Sequence, residues 1–216
     1  MTFNVETAFV LISLLASLSV YFQINKGYRY LRFFPPFLLI TFCLETFISF
    51  LANKTGSNFA AYSLFGTLEF FFYLWVIRQA IESRKARMVL SQVLWLFPLF
   101  AVIDLIFIQG LDNFNSYSYS IGSLLIVLFC IWYFYDLFQS EHSRRILSDP
   151  SFWICCGLFF YYCCSFPLFG LINFLRNMPR FNNKTLHIIL YLMNIVLYSS
   201  FTIAFLCRLK VRNSTS

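Results

Sequence analysis

Apolar residues along this chain gather in long blocks separated by short polar punctuation, and that rhythm predicts the fold. Blocks run from about 5 to 23, 34 to 53, 58 to 79, 88 to 109, 117 to 138, 150 to 175 and 186 to 207. Each is long enough to cross a bilayer as a helix, for which about 20 mostly apolar residues are needed. Each is also apolar on every side for several turns, whereas a membrane barrel would alternate apolar and polar positions in short runs. The punctuation is turn-like or charged: INKGYRYLR, NKTGSN, ESRKAR, GLDNFNS, QSEHSRRILSD and RNMPRFNNK. The prediction is an all-α membrane protein, a bundle of seven transmembrane helices forming a single domain over residues 1–216. Pro35 and Pro36 open the second helix, and Asp149 before Pro150 reads as a cap and first helical residue of the sixth. Pro98 and Pro167 fall within spans and predict kinks.

The basic residues set an orientation. Lys26, Arg29, Arg32, Arg78, Arg84, Lys85, Arg87, Arg144, Arg145, Arg208, Lys210 and Arg212 all fall on one side of the predicted bundle; Lys54, Arg176, Arg180 and Lys184 fall on the other. Excess positive charge marks the cytoplasmic face, so the N-terminus is predicted outside and the C-terminus in the cytoplasm. The discordant segment is the sixth connection, with three basic residues on the outer side. The first block carries Glu6 and no basic leader, and is read as a retained span and not a cleaved signal.

Composition narrows the function classes. The 216 residues are 60% hydrophobic and 12% charged, and seven spans leave no room for a soluble catalytic or DNA-binding domain. The net charge of +7 follows from the loops, so orientation and not nucleic-acid binding explains it, and the lipid bilayer is the expected partner. Seven cysteines lie in or beside apolar segments and are read as small buried hydrophobes. No CxxC pair exists and the histidines are His142 and His187, so neither a metal nor any other cofactor is expected. GxSxG and phosphate-cradling glycine loops are absent, the seventh block lacks the lysine a retinal protein would need, and no catalytic residue is assigned.

Ionisable groups within a bilayer are costly, which makes them functional candidates. Glu45, Glu69 and Asp104 lie in the second, third and fourth spans, with Asn173, Arg176, His187 and Asn194 in the last two. Topology concentrates these residues in the outer half. They predict a polar cavity open to the exterior that takes a small ligand; the competing explanation is hydrogen bonding between helices with no ligand at all.

The stretch Asp149-Pro150-Ser151-Phe152-Trp153-Ile154 with Gly157 and Tyr161, taken with Leu68-Glu69-Phe70, resembles small bacterial seven-helix membrane proteins similar to the sensor modules of histidine kinases. The resemblance implies a signal-input role in the bacterial cytoplasmic membrane, with a separate cytoplasmic signalling protein as partner. A sensor or receptor-like subunit is therefore the expectation. The alternatives are a small transporter or channel using the intramembrane carboxylates, a lipid-modifying enzyme, and an assembly subunit without a ligand.

Overall fold

The computed structural model describes residues 5–21, 26–55, 59–110, 115–139, 146–170 and 183–213. Among them are seven α-helices and no strand: α1 (Val5–Tyr21), α2 (Phe34–Thr55), α3 (Phe59–Ala80), α4 (Arg84–Ile103), α5 (Ser116–Gln139), α6 (Pro150–Gly170) and α7 (Asn183–Asn213). Four helical stretches are long and apolar enough to cross a membrane: Arg84–Ile108, Ser116–Gln139, Pro150–Gly170 and Ile188–Cys207.

The burial pattern of α4 shows how such a helix meets its surroundings. Leu90, Leu94, Phe97 and Ala101 form a buried stripe, while Trp95 is 83% and Phe107 78% exposed on the opposite side. An apolar residue on the unburied face is misplaced in water and at home in hydrocarbon. Several hydroxyls along the helices are satisfied locally: Thr46, Ser123, Ser200 and Thr202 each donate to the carbonyl four residues earlier. This keeps polar groups paired where no water competes.

α7 packs between α1 and α6, and α6 between α5 and α7. α3 lies against α4 and α5 and also touches α6, while α2 leans on α1. The core is aromatic. Phe34 of α2 meets Phe72 of α3 and both Phe201 and Phe205 of α7 at centroid distances of 5.1 to 5.5 Å, all edge to face. Phe70 of α3 contacts Phe97, Tyr119 and Tyr162 from α4, α5 and α6 at 5.0 to 5.6 Å. Such tilted pairs align the positive ring edge with a negative face. Glycine lets α5 come close here, because a Cβ at Gly122 would stand 2.9 Å from the rings of Phe70 and Phe97.

One expectation changes, and two others gain detail. The first connection is not an open loop: Lys26–Phe33 forms a 3-10 segment, broken at Tyr28, that buries Tyr30 and Leu31. Its apolar and aromatic side chains dock on the bundle while Arg29 and Arg32 stay exposed. Pro98 and Pro167 lie within α4 and α6, and an irregular turn follows α4 at Asp104–Ile108, where five residues adopt π-helical geometry and the Gln109 amide donates to the Asp104 carbonyl at 2.9 Å. The sixth predicted span, 150–175, is helical through Gly170, and its remainder lies outside the described residues.

The start of α6 follows the sequence reading. Asp149 Oδ1 accepts the Ser151 amide at 3.0 Å, as a helix cap does, and its Oδ2 accepts the Tyr133 hydroxyl at 3.0 Å. Ser151 in turn shares a 2.7 Å hydrogen bond with Tyr30, 121 residues away. Burial pushes the Tyr30 phenol well above its ordinary pKa, so it stays a neutral hydroxyl. The node ties the first connection, α5 and α6 together. Asp149→Ala is expected to destabilise the fold by about 1–2 kcal/mol, seen as an earlier unfolding midpoint by circular dichroism in detergent. Asp149→Asn, which keeps an acceptor, should retain most of that stability.

Candidate functional site

Glu69 lies on α3, one turn before Tyr73, whose hydroxyl donates to Glu69 Oε1 at 2.9 Å. Spacing of four residues puts the two side chains on one helical face. The other neighbours come from elsewhere in the chain. Tyr162 of α6 packs against Tyr73 at 6.1 Å and against Tyr161 at 4.9 Å, and Tyr119 of α5 meets Phe70 at 5.0 Å. Tyr198 of α7 packs on Phe201, which meets Tyr73 at 6.0 Å. Tyrosines of α5, α6 and α7 thus gather near the segment of α3 that carries Glu69, Phe70 and Tyr73.

The cluster is held from behind by packing. Tyr73 is fully buried against Phe37, Tyr162 and Phe201, at 5.5 to 6.1 Å between ring centroids. Tyr162 and Tyr198 are also buried, whereas Glu69, Tyr119 and Tyr161 are only half-buried. One turn away along α3, a Cβ added at Gly66 would meet no described atom within 4 Å. Among the described residues Tyr73 donates to Glu69 and no basic side chain pairs with it.

Depth follows from a neighbouring contact. The Asn115 amide donates to Ser63 Oγ at 3.3 Å just before α5 begins, and Glu69 lies six residues further along α3, about 9 Å deeper at 1.5 Å per residue.

Asp104 occupies a different environment. It is fully buried, and Oδ2 accepts both the Ser118 amide at 2.9 Å and the Ser118 hydroxyl at 2.7 Å. Those donors belong to the first turn of α5, where unpaired amides and the helix dipole favour a negative group. Asn115 completes the junction, its side-chain amide donating to the Ala101 carbonyl at 3.3 Å. Asp104 Oδ1 and Asn115 Oδ1 are buried without a hydrogen-bond partner. Asp104 therefore works as a clamp between the end of α4 and α5, and the same junction accepts the Tyr119 amide at the Asn115 carbonyl at 3.1 Å.

Asn194 is half-buried on α7 and makes no hydrogen bond among the described residues. Glu45 and His187 belong to α2 and α7, but their side chains lie outside the described residues, as do Asn173 and Arg176 entirely. The tyrosines were missed in the sequence, where aromatics serve as core and interfacial anchors. The Glu69 and Tyr73 spacing was a usable signal; the convergence of Tyr119, Tyr161 and Tyr198 from three other helices was not.

Thiol chemistry has little to offer here. All seven cysteines are free, Cys130 and Cys155 are fully buried next to one another, and Cys163 is exposed among apolar residues. Among the described residues no group of three or more His, Cys, Asp or Glu side chains could hold a metal. No protein family, curated protein or solved structure matches the chain, so its chemistry is read from its own residues.

Proposed function

We propose that this chain is an integral membrane sensor subunit of a bacterial cytoplasmic membrane. In this reading seven helices span the bilayer, the N-terminus is outside and the C-terminus is cytoplasmic. The observation that carries it is the half-buried Glu69, bonded to Tyr73 on a segment of α3 that packs against α5, α6 and α7, without a basic partner among the described residues. A small ligand entering from outside and touching Glu69 would act on that packed segment. It could then favour one arrangement of the bundle over another, which is what a sensor requires: two states with different ligand affinity.

The cytoplasmic side offers surface for a partner. Arg78 donates from Nε to Ser91 Oγ at 2.7 Å, and Arg87 donates from Nε and Nη2 to the Ile81 carbonyl at 3.0 and 2.8 Å, so both brace the turn between α3 and α4. Arg84 and Lys85, in the first turn of α4, stay exposed. Movement of α3 displaces that turn directly. The partner in this reading is a separate signalling protein with an acidic docking surface.

Photo-crosslinking from position 84 or 85 in native membranes tests the assignment. A cytoplasmic regulatory protein is expected to be captured, with a yield that Glu69→Gln changes. Absence of any cytoplasmic partner overturns the sensor reading. Uptake or proton flux by the protein in reconstituted vesicles, abolished by Glu69→Gln, would replace it with the transporter reading.

A further inference from the structure

The junction of α4 and α5 holds more acceptors than donors. Asn115 caps α5, since its carbonyl accepts the Tyr119 amide at 3.1 Å. A capping asparagine ordinarily turns its own side-chain oxygen onto the amide two or three residues on. Here Asp104 Oδ2 takes the Ser118 amide at 2.9 Å together with the Ser118 hydroxyl at 2.7 Å. The Asn115 side chain reaches α4 instead, where Nδ2 donates to the Ala101 carbonyl at 3.3 Å. A carbonyl can only accept, so that bond fixes which end of the amide is nitrogen and leaves its oxygen over. Ala101 and Asp104 are neighbours one turn apart on α4, as Asn115 and Ser118 are at the start of α5, so the two bonds lay the Asp104 and Asn115 side chains side by side in one seam. Asp104 is 0% and Asn115 3% exposed, and neither Asp104 Oδ1 nor Asn115 Oδ1 has a hydrogen-bond partner among the described residues. Two buried acceptors, one of them on a carboxyl group, call for something positive between them. Asp104 also opens the π-helical turn Asp104–Ile108, a rare geometry that recurs at functional sites.

We infer that this junction is a sodium site, with the ion held by Asp104 Oδ1 and Asn115 Oδ1 between α4 and the first turn of α5. The donor set is all oxygen, from a carboxylate, an amide and a hydroxyl, which suits a hard ion and not a soft transition metal. One carboxylate balances one positive charge, whereas magnesium and calcium are usually held by more carboxylates or by retained waters. Close packing of the seam limits the radius of the ion and selects sodium over the larger potassium. Ser118 Oγ gives its proton to Asp104 Oδ2 and keeps lone pairs for the ion's shell. The bound ion joins two helices at a point that α3 also reaches, since the Asn115 amide donates to Ser63 Oγ at 3.3 Å. Sodium therefore stabilises the packing of α3, α4 and α5 together, and the site stands whether or not the chain is a sensor.

The test uses the full chain in nanodiscs at neutral pH, unfolded by heat and followed by tryptophan fluorescence while sodium replaces choline at constant ionic strength. The unfolding temperature is expected to rise with sodium, by about 3–5 °C for each tenfold increase above the dissociation constant, as an ion bound by the folded state alone requires. Potassium in place of sodium should give a smaller rise. Asp104→Asn places an amide donor where the ion would sit; its unfolding temperature should stay close to that of the unmodified protein in choline and should not respond to sodium. Radiolabelled sodium, measured by scintillation proximity on the unmodified protein, decides the matter if that variant fails to fold: one ion per chain is expected, displaced by unlabelled sodium and not by choline. Equal responses to sodium, potassium and choline overturn the assignment, as does a full sodium response in folded Asp104→Asn or the absence of displaceable label. Stabilisation by acid in place of sodium also overturns it, because a proton shared between the two oxygens then fills their need.

Discussion

A methyl group at position 157 is expected to destabilise the bundle by about 1–3 kcal/mol, the usual range for overfilling a packed site. Gly157 lies on α6 where it crosses α7, and a Cβ there would stand 2.7 Å from Ser200 Cβ and 3.2 Å from its Oγ. Real carbon atoms do not approach so closely, so one helix must shift. Ser200 has little freedom to move aside, because its hydroxyl donates to the Val196 carbonyl at 2.8 Å and its Cβ is fixed to the helix backbone. Small residues at crossings of this type let membrane helices approach and gain dispersion contact where the hydrophobic effect offers none between them. Gly157→Ala should therefore lower the unfolding midpoint in an SDS titration of the micelle-embedded protein. Gly157→Ala combined with Ser200→Gly should recover most of the loss, since the added methyl then occupies the space of the removed side chain. If the double variant is no better than the sum of its parts, the close contact at Ser200 is not the cause.

The same crossing illustrates what the sequence could convey. Gly157 stands in an apolar run, and nothing local says that Ser200, 43 positions later, will face it. Apolar block length did predict the helices, because each block must satisfy its backbone internally in lipid. Asp149 and Pro150 marked the start of α6 because a cap acts on residues one or two positions away. Local rules did not foretell the folded first connection, since Tyr30 is held by Ser151 from another helix. The candidate site was partly legible for a related reason. The rarity of acids in lipid singled out Glu69 and Asp104, but only tertiary structure separates a clamp bonded to Ser118 from an acid bonded to Tyr73.

That separation leads to a second large effect. Asp104→Ala is expected to cost about 2–4 kcal/mol, because it removes both acceptor bonds to Ser118 and leaves the amide and hydroxyl of that residue unpaired where water is excluded. The N-terminal turn of α5 also loses the negative group facing its dipole. Asp104→Asn should behave quite differently. Its side-chain oxygen can still accept from Ser118, and its amide group brings a donor to the side where Asp104 Oδ1 and Asn115 Oδ1 have none. The charge is lost, yet the desolvation cost of that charge is lost too, so the net change should stay below about 1 kcal/mol. Denaturation in mixed micelles compares the two variants directly. Equal destabilisation by Ala and Asn would mean that the charge itself holds the α4 and α5 junction.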